Sequence, residues 1–129
     1  MRAAQDRPSA GEADKHSEIR RQFITLIRTG RRTRAYTAKR PTDVRFRQVL
    51  HPESRSPLTE SGMWREIARL LESEIPLTAI VLDQPPGENA WVFCARLAPD
   101  LPLIYVKLQM RGGSTVLLRS FHASEHDHD

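Results

Sequence analysis

Between residues 76 and 122 the chain presents four strand-like segments, "PLTAIVL" (76–82), "AWVFCARL" (90–97), "LIYVKLQM" (103–110) and "STVLLRSFH" (114–122). The connectors "DQPPGEN", "APDLP" and "RGG" are turn-rich and far shorter than the dozen or so residues a parallel crossover needs. Antiparallel neighbours are therefore expected. Two helical patterns precede them. In "DKHSEIRRQFITLIR" (14–28), Ile19, Phe23, Ile24 and Ile27 recur at helical spacing, with Asp14 or Ser17 as the cap and Gly30 just past the end. In "LTESGMWREIARLLESE" (58–74), Met63, Trp64, Ile67, Leu70 and Leu71 share one face behind a Thr59 cap, and Pro76 ends the run. The expected fold is α+β: two N-terminal helices on one face of a three- to four-stranded antiparallel meander. "DVRFRQVL" (43–50) reads as a short strand or a helical turn.

A chain of 129 residues, 39% of them hydrophobic, can bury one modest core and not two. A single domain is expected over residues 15–122, between a disordered arm at 1–14 and a disordered tail at 123–129. No run approaches the roughly 18 apolar residues of a membrane span. The N-terminus lacks the apolar stretch of a secretory signal, so a cytoplasmic protein with no membrane partner is expected. A lone Cys94 cannot form an internal disulfide and reads as a small core residue.

Charge divides the chain. Residues 1–55 hold 14 Lys/Arg against 6 Asp/Glu (+8), and residues 56–129 hold 6 against 10 (−4), giving the overall +4. Eight cations and one acid fall within residues 28–47. A solvated loop explains such a run as well as a ligand does, but closely spaced cations repel unless an anion meets them, and phosphates release counterions when they do. Arg31, Arg32, Arg34, Lys39, Arg40, Arg45 and Arg47 are the candidate backbone contacts, with Tyr36 and Phe46 as stacking surfaces. Nucleic acid is the partner this favours.

The last hairpin carries the candidate chemistry. Gly112-Gly113 suits a two-residue turn with positive φ at both central positions. Such a turn pairs Arg111 with Ser114, sets Tyr105 opposite Ser120, and gathers Tyr105, Lys107, Gln109, Ser120 and His122 on one face. Ile104, Val106, Leu108, Leu117 and Phe121 fall on the other, the core. Arg119 falls on the apolar side unless a three-residue loop shifts the pairing by one and brings it beside Lys107.

The pattern Ile104-Tyr105-Val106-Lys107-Leu108, a short turn, then Val116-Leu117-Leu118 running to Ser120-Phe121-His122, resembles the C-terminal hairpin of MqsR-type toxins of bacterial toxin–antitoxin systems, in the wider RelE-like group. The likeness covers about 20 residues, with the helix-then-meander order beside it. It implies helices against a curved antiparallel sheet, messenger RNA cleavage without a metal, and silencing by a cognate antitoxin. Tyr105 takes the place of the family's active-site tyrosine, and His122 stands where a basic residue, often Lys, occurs. The expected activity is thus that of a ribonuclease toxin: an endonuclease, a metal-independent hydrolase of RNA, needing no cofactor. RNA supplies its own nucleophile, so the protein need only orient the 2′-hydroxyl, move protons and stabilise charge on the phosphorane. Tyr105, Lys107, Arg119 and His122 are the candidate catalytic residues. His122, His126 and His128 in "FHASEHDHD" could hold a stray metal, but no second ligand cluster closes a site. A non-catalytic nucleic-acid-binding protein and an inhibitory or interaction protein are the alternatives.

Overall fold

The computed structural model describes residues 10–35, 43–73, 75–83 and 85–124, with side chains from His16 onward. Helix α1 spans Ala10–Arg28 and helix α2 Glu60–Glu72. The strands are β1 (Arg32–Arg34), β2 (Thr78–Val81), β3 (Asn89–Arg96), β4 (Leu103–Arg111) and β5 (Thr115–Ala123). The fold is α+β, with both helices on one face of a sheet. The sheet itself corrects the expectation: it has five strands in the order β1-β5-β4-β3-β2 and is mixed, because β1 lies parallel to β5. Helix α1 also begins before Asp14, at Ala10.

Strand β1 comes from the basic stretch, where nothing alternates, so only an external demand can make it extended. Strand β5 supplies that demand. Its backbone is buried among Val116, Leu117 and Leu118, and its outer edge needs partners. Val116 N–H donates to the Arg31 carbonyl (2.9 Å) and Ala35 N–H to that of Leu118 (2.8 Å). Further along, Phe121 N–H donates to the Asp43 carbonyl (2.9 Å) and Arg45 N–H to that of Phe121 (2.7 Å). The chain reaches this edge because α1 stops sharply. Gly30, at φ 84°, closes a reciprocal pair of bonds, Gly30 N–H to Ile27 and Arg31 N–H to Leu26, which turns the backbone back along the sheet. Residues 43–50 supply a helical turn at Phe46–Gln48 and two isolated bridges, Val44 to Phe121 and Leu50 to Pro57.

Helix α2 starts where its cap predicts: the Thr59 hydroxyl accepts from Gly62 N–H at 3.0 Å. A single core packs Phe23 and Ile27 of α1, Met63, Trp64, Ile67 and Leu71 of α2, and the inward residues Phe93, Ile104, Val106, Leu108, Val116, Leu118 and Phe121. Arg20 ties the helices by donating to the Leu71 carbonyl (2.9 Å), and Arg28 pairs with Glu72 (2.9 Å). Cys94 is a further correction. It is exposed, because in "AWVFCARL" Trp91, Phe93 and Ala95 turn inward and Cys94 therefore turns out.

The hairpin register differs from the expected one twice. Gly112 and Gly113 do have positive φ (60° and 72°), but the strands close at Arg111–Thr115, so the loop has three residues. Between Lys107 and Leu108 the ladder then shifts again: Leu108 faces Leu118, Lys107 faces Ser120, and Arg119 is the extra residue of a β-bulge. One displacement reverses the face of every β5 residue near the turn, and the second restores it beyond the bulge. Leu117 therefore leaves the core side and Val116 and Leu118 take it, while Phe121 stays inward as expected. Tyr105 comes to face His122 and not Ser120.

Candidate functional site on the open sheet face

Both helices and the Phe46–Gln48 turn pack against one side of the sheet; on the other, Tyr105, Lys107 and His122 are half-buried, while Gln109, Leu117 and Ser120 are buried, Gln109 beside Glu88 of the β2–β3 connector. The open side carries Val92 and Cys94 of β3, Tyr105, Lys107 and Gln109 of β4, and Leu117, Ser120 and His122 of β5. Three neighbouring strands thus put Cys94, Tyr105 and His122 in one row and Val92, Lys107 and Ser120 in the next.

The Tyr105 and His122 rings lie 5.6 Å apart between centroids, tilted by 33°. The Lys107 ammonium sits 5.9 Å from the Tyr105 ring centre, within cation–π range. His122 Nδ1 lies 2.8 Å from the Ala123 carbonyl. A carbonyl only accepts, so Nδ1 carries the proton of the neutral ring and the Nε2 lone pair is left as a base. Burial, and secondarily the neighbouring Cys94, push the Tyr105 phenol above its ordinary value, so it is a proton donor at neutrality. Burial likewise raises the Cys94 thiol, which makes it a poor nucleophile.

The structure brings Tyr105, Lys107 and His122 together as read from the sequence. Arg119 is placed elsewhere, toward the turn end of the hairpin, where its Nε donates to Gln109 Oε1 (2.7 Å) and Gln109 Nε2 donates to Glu88 Oε1 (2.6 Å). Glu88, in the β2–β3 connector, carried no sequence signal, because only the register brings it to Gln109.

The basic segment does not join this face as a block. Arg32 and Arg34 follow Val116 and Leu118 to the helix side. There Arg32 lies over Trp64 (5.7 Å) and donates to the Ile27 carbonyl (2.9 Å). Arg34 lies over Phe46 (5.7 Å) and meets Glu60 (3.4 Å). Arg47 also lies over Phe46 (5.5 Å), and Arg45 meets Asp43 (3.8 Å); Phe46 itself is buried in the core and is not the stacking surface the sequence suggested. Arg31 is exposed. Tyr36, Lys39 and Arg40 lie outside the described residues, as do His126 and His128. Among the described residues no group of three or more His, Cys, Asp or Glu could hold a metal ion, and no helix is long and apolar enough to cross a membrane.

Comparison with protein-family models, with curated proteins and with solved structures returns no match for this chain.

Proposed function

We propose that the open sheet face binds single-stranded RNA and cleaves it as a metal-independent endoribonuclease of the toxin type, restrained by a cognate antitoxin. The observation that carries this reading is the direct cross-strand opposition of Tyr105 and His122 beside Lys107, all three half-buried on the face of the sheet opposite the helices. His122 Nε2 removes the proton of a ribose 2′-hydroxyl, and O2′ attacks the adjacent phosphorus. The P–O5′ bond breaks, and the Tyr105 phenol gives its proton to the departing oxygen. Lys107 balances the charge of the phosphorane. The products are a 2′,3′-cyclic phosphate and a 5′-hydroxyl end. The two rings also offer a surface on which an unpaired base stacks.

The test is incubation of the purified chain with single-stranded RNA in EDTA, with end-group analysis. Cyclic phosphate ends are expected, lost in folded Tyr105→Phe and His122→Ala. Cleavage that persists in both variants removes the assignment.

Binding without cleavage is the second reading. It is favoured by the cations that strand alternation sends to this face, Arg96, Lys107 and Arg111, with Arg119 beside them. It predicts steeply salt-dependent RNA affinity and no product.

A further inference from the structure

We infer that the groove at the turn end of β4–β5 is a guanine-reading pocket of the RNA site, in which Arg119 and Glu88 grip two edges of one base. The inference rests on the RNA reading of the open face and adds to it the base that is selected.

The groove encloses about 570 Å³ between the β2–β3 connector and the end of the hairpin, and Pro85, Glu88, Gln109, Arg111, Leu117 and Arg119 are among its walls. That volume falls in the range of small-molecule sites, ~300–1,000 Å³. Its centre is a built polar relay. Gln109, only 7% exposed, has both amide atoms committed: Nε2 to Glu88 Oε1 and Oε1 to Arg119 Nε. The amide cannot be reversed, since reversal would turn its NH₂ toward a guanidinium that only donates and its oxygen toward a carboxylate that only accepts. Gln109 is thus a positioning residue that holds a donor group and an acceptor group apart at a fixed spacing.

What remains open defines the ligand. Arg119 keeps its Nη1 and Nη2 donors, and Glu88 keeps Oε2, all without a partner among the described residues. Guanine is the one RNA base with two acceptors, O6 and N7, beside two donors, N1–H and the N2 amine. Arginine is the favoured partner of the first pair, and a carboxylate matches the second. Adenine and cytosine offer a single amine, and uracil a single ring N–H.

The pocket also stands at a useful distance from the proposed scission. Gln109 is four residues along β4 from Tyr105, about 13 Å at the rise of an extended strand. The base read in the groove and the phosphate over Tyr105 and His122 therefore belong to different nucleotides of one strand. Arg119 stands at the groove as the extra residue of the bulge, between Leu118 and Ser120, with Leu117 opposite Gln109 beside it.

The test uses the full chain carrying His122→Ala, so that substrate is not consumed, and measures binding of labelled pentauridylates with G, A, C, U or inosine at the centre. The G oligomer is expected to bind about tenfold or more tighter than the A, C and U oligomers, as one bidentate base contact gives. Inosine lacks the N2 amine and should bind less tightly than G, a difference that disappears on adding Glu88→Gln. Arg119→Lys and Gln109→Leu should each reduce the G-to-A ratio, the latter without removing a group that touches the base. Equal affinity for all five oligomers overturns the pocket, as does a G preference that survives both Glu88→Gln and Arg119→Lys. If binding is blind to the base while the wild type still cleaves, only the pocket falls. Guanine-selective binding without cleavage by the wild type overturns the scission reading alone. Absence of RNA binding overturns both.

Discussion

Removing one residue from β5 should be tolerated at one position and ruinous two positions earlier. Deleting Arg119 takes out the extra residue of the bulge. Leu118 still faces Leu108, Ser120 still faces Lys107, Phe121 remains inward and His122 remains opposite Tyr105. The loss is one charge-assisted hydrogen bond, partly exposed at Arg119, which leaves Gln109 Oε1 buried without that donor at a cost of about 1–3 kcal/mol, offset in part by a regular ladder and small beside the loss worked out below for Leu117.

Deleting Leu117 shortens β5 equally but consumes the bulge from the other side. Leu118, 0% exposed, would turn to the open face, and Arg119 would turn into the core opposite Leu108. Loss of a buried Leu costs about 2–5 kcal/mol, and an unpaired cation in an apolar core costs several more. The sum rivals the ~5–15 kcal/mol of a whole domain. Urea denaturation followed by tryptophan fluorescence should give the Arg119 deletion a midpoint modestly below that of the parent with an unchanged slope, and the Leu117 deletion no cooperative transition. Ring-to-ring nuclear Overhauser contacts between Tyr105 and His122 should survive in the first variant. If the two deletions are equally damaging, or those contacts vanish on deleting Arg119, the bulge does not set the register.

Thr59→Ala should cost about 1 kcal/mol by removing the cap on Gly62 N–H, read as a lowered melting temperature with the fold unchanged. Arg34→Ala should leave RNA affinity within about twofold and stability within ~1 kcal/mol, because the residue is on the helix side in a half-exposed ion pair with Glu60. The raised Tyr105 phenol fixes a sign. The unfolded chain ionises at about pH 10 while the folded phenol stays protonated, so stability should fall as pH rises from there through the folded value. That alkaline loss should shrink in Tyr105→Phe, as followed by thermal melts between pH 8 and 11.

Helix α2 was legible from periodicity and a local cap, since Thr59 and Gly62 belong to the same turn and Met63, Trp64, Ile67 and Leu71 needed only a surface to bury against. Strands β2 to β5 were legible for a similar reason, because short connectors force neighbours to be antiparallel. Tyr105, Lys107 and His122 could be placed on one face because two single-residue displacements cancel beyond the bulge. Leu117 and Arg119, lying between the displacements, could not.

What tertiary structure alone decided was the company each element keeps. The "RTR" of β1 has no strand pattern, and it is extended because the edge of β5 would otherwise bury unpaired backbone groups. The same pairing turns Arg32 and Arg34 toward Trp64 and Phe46, which no count of cations could reveal. Nor could local sequence bring Glu88 to Gln109 and Arg119, a meeting of the β2–β3 connector with two strands whose register carries one extra residue. Local pattern encodes which residues can share a face; satisfaction of backbone hydrogen bonds across the assembled sheet determines which of them meet.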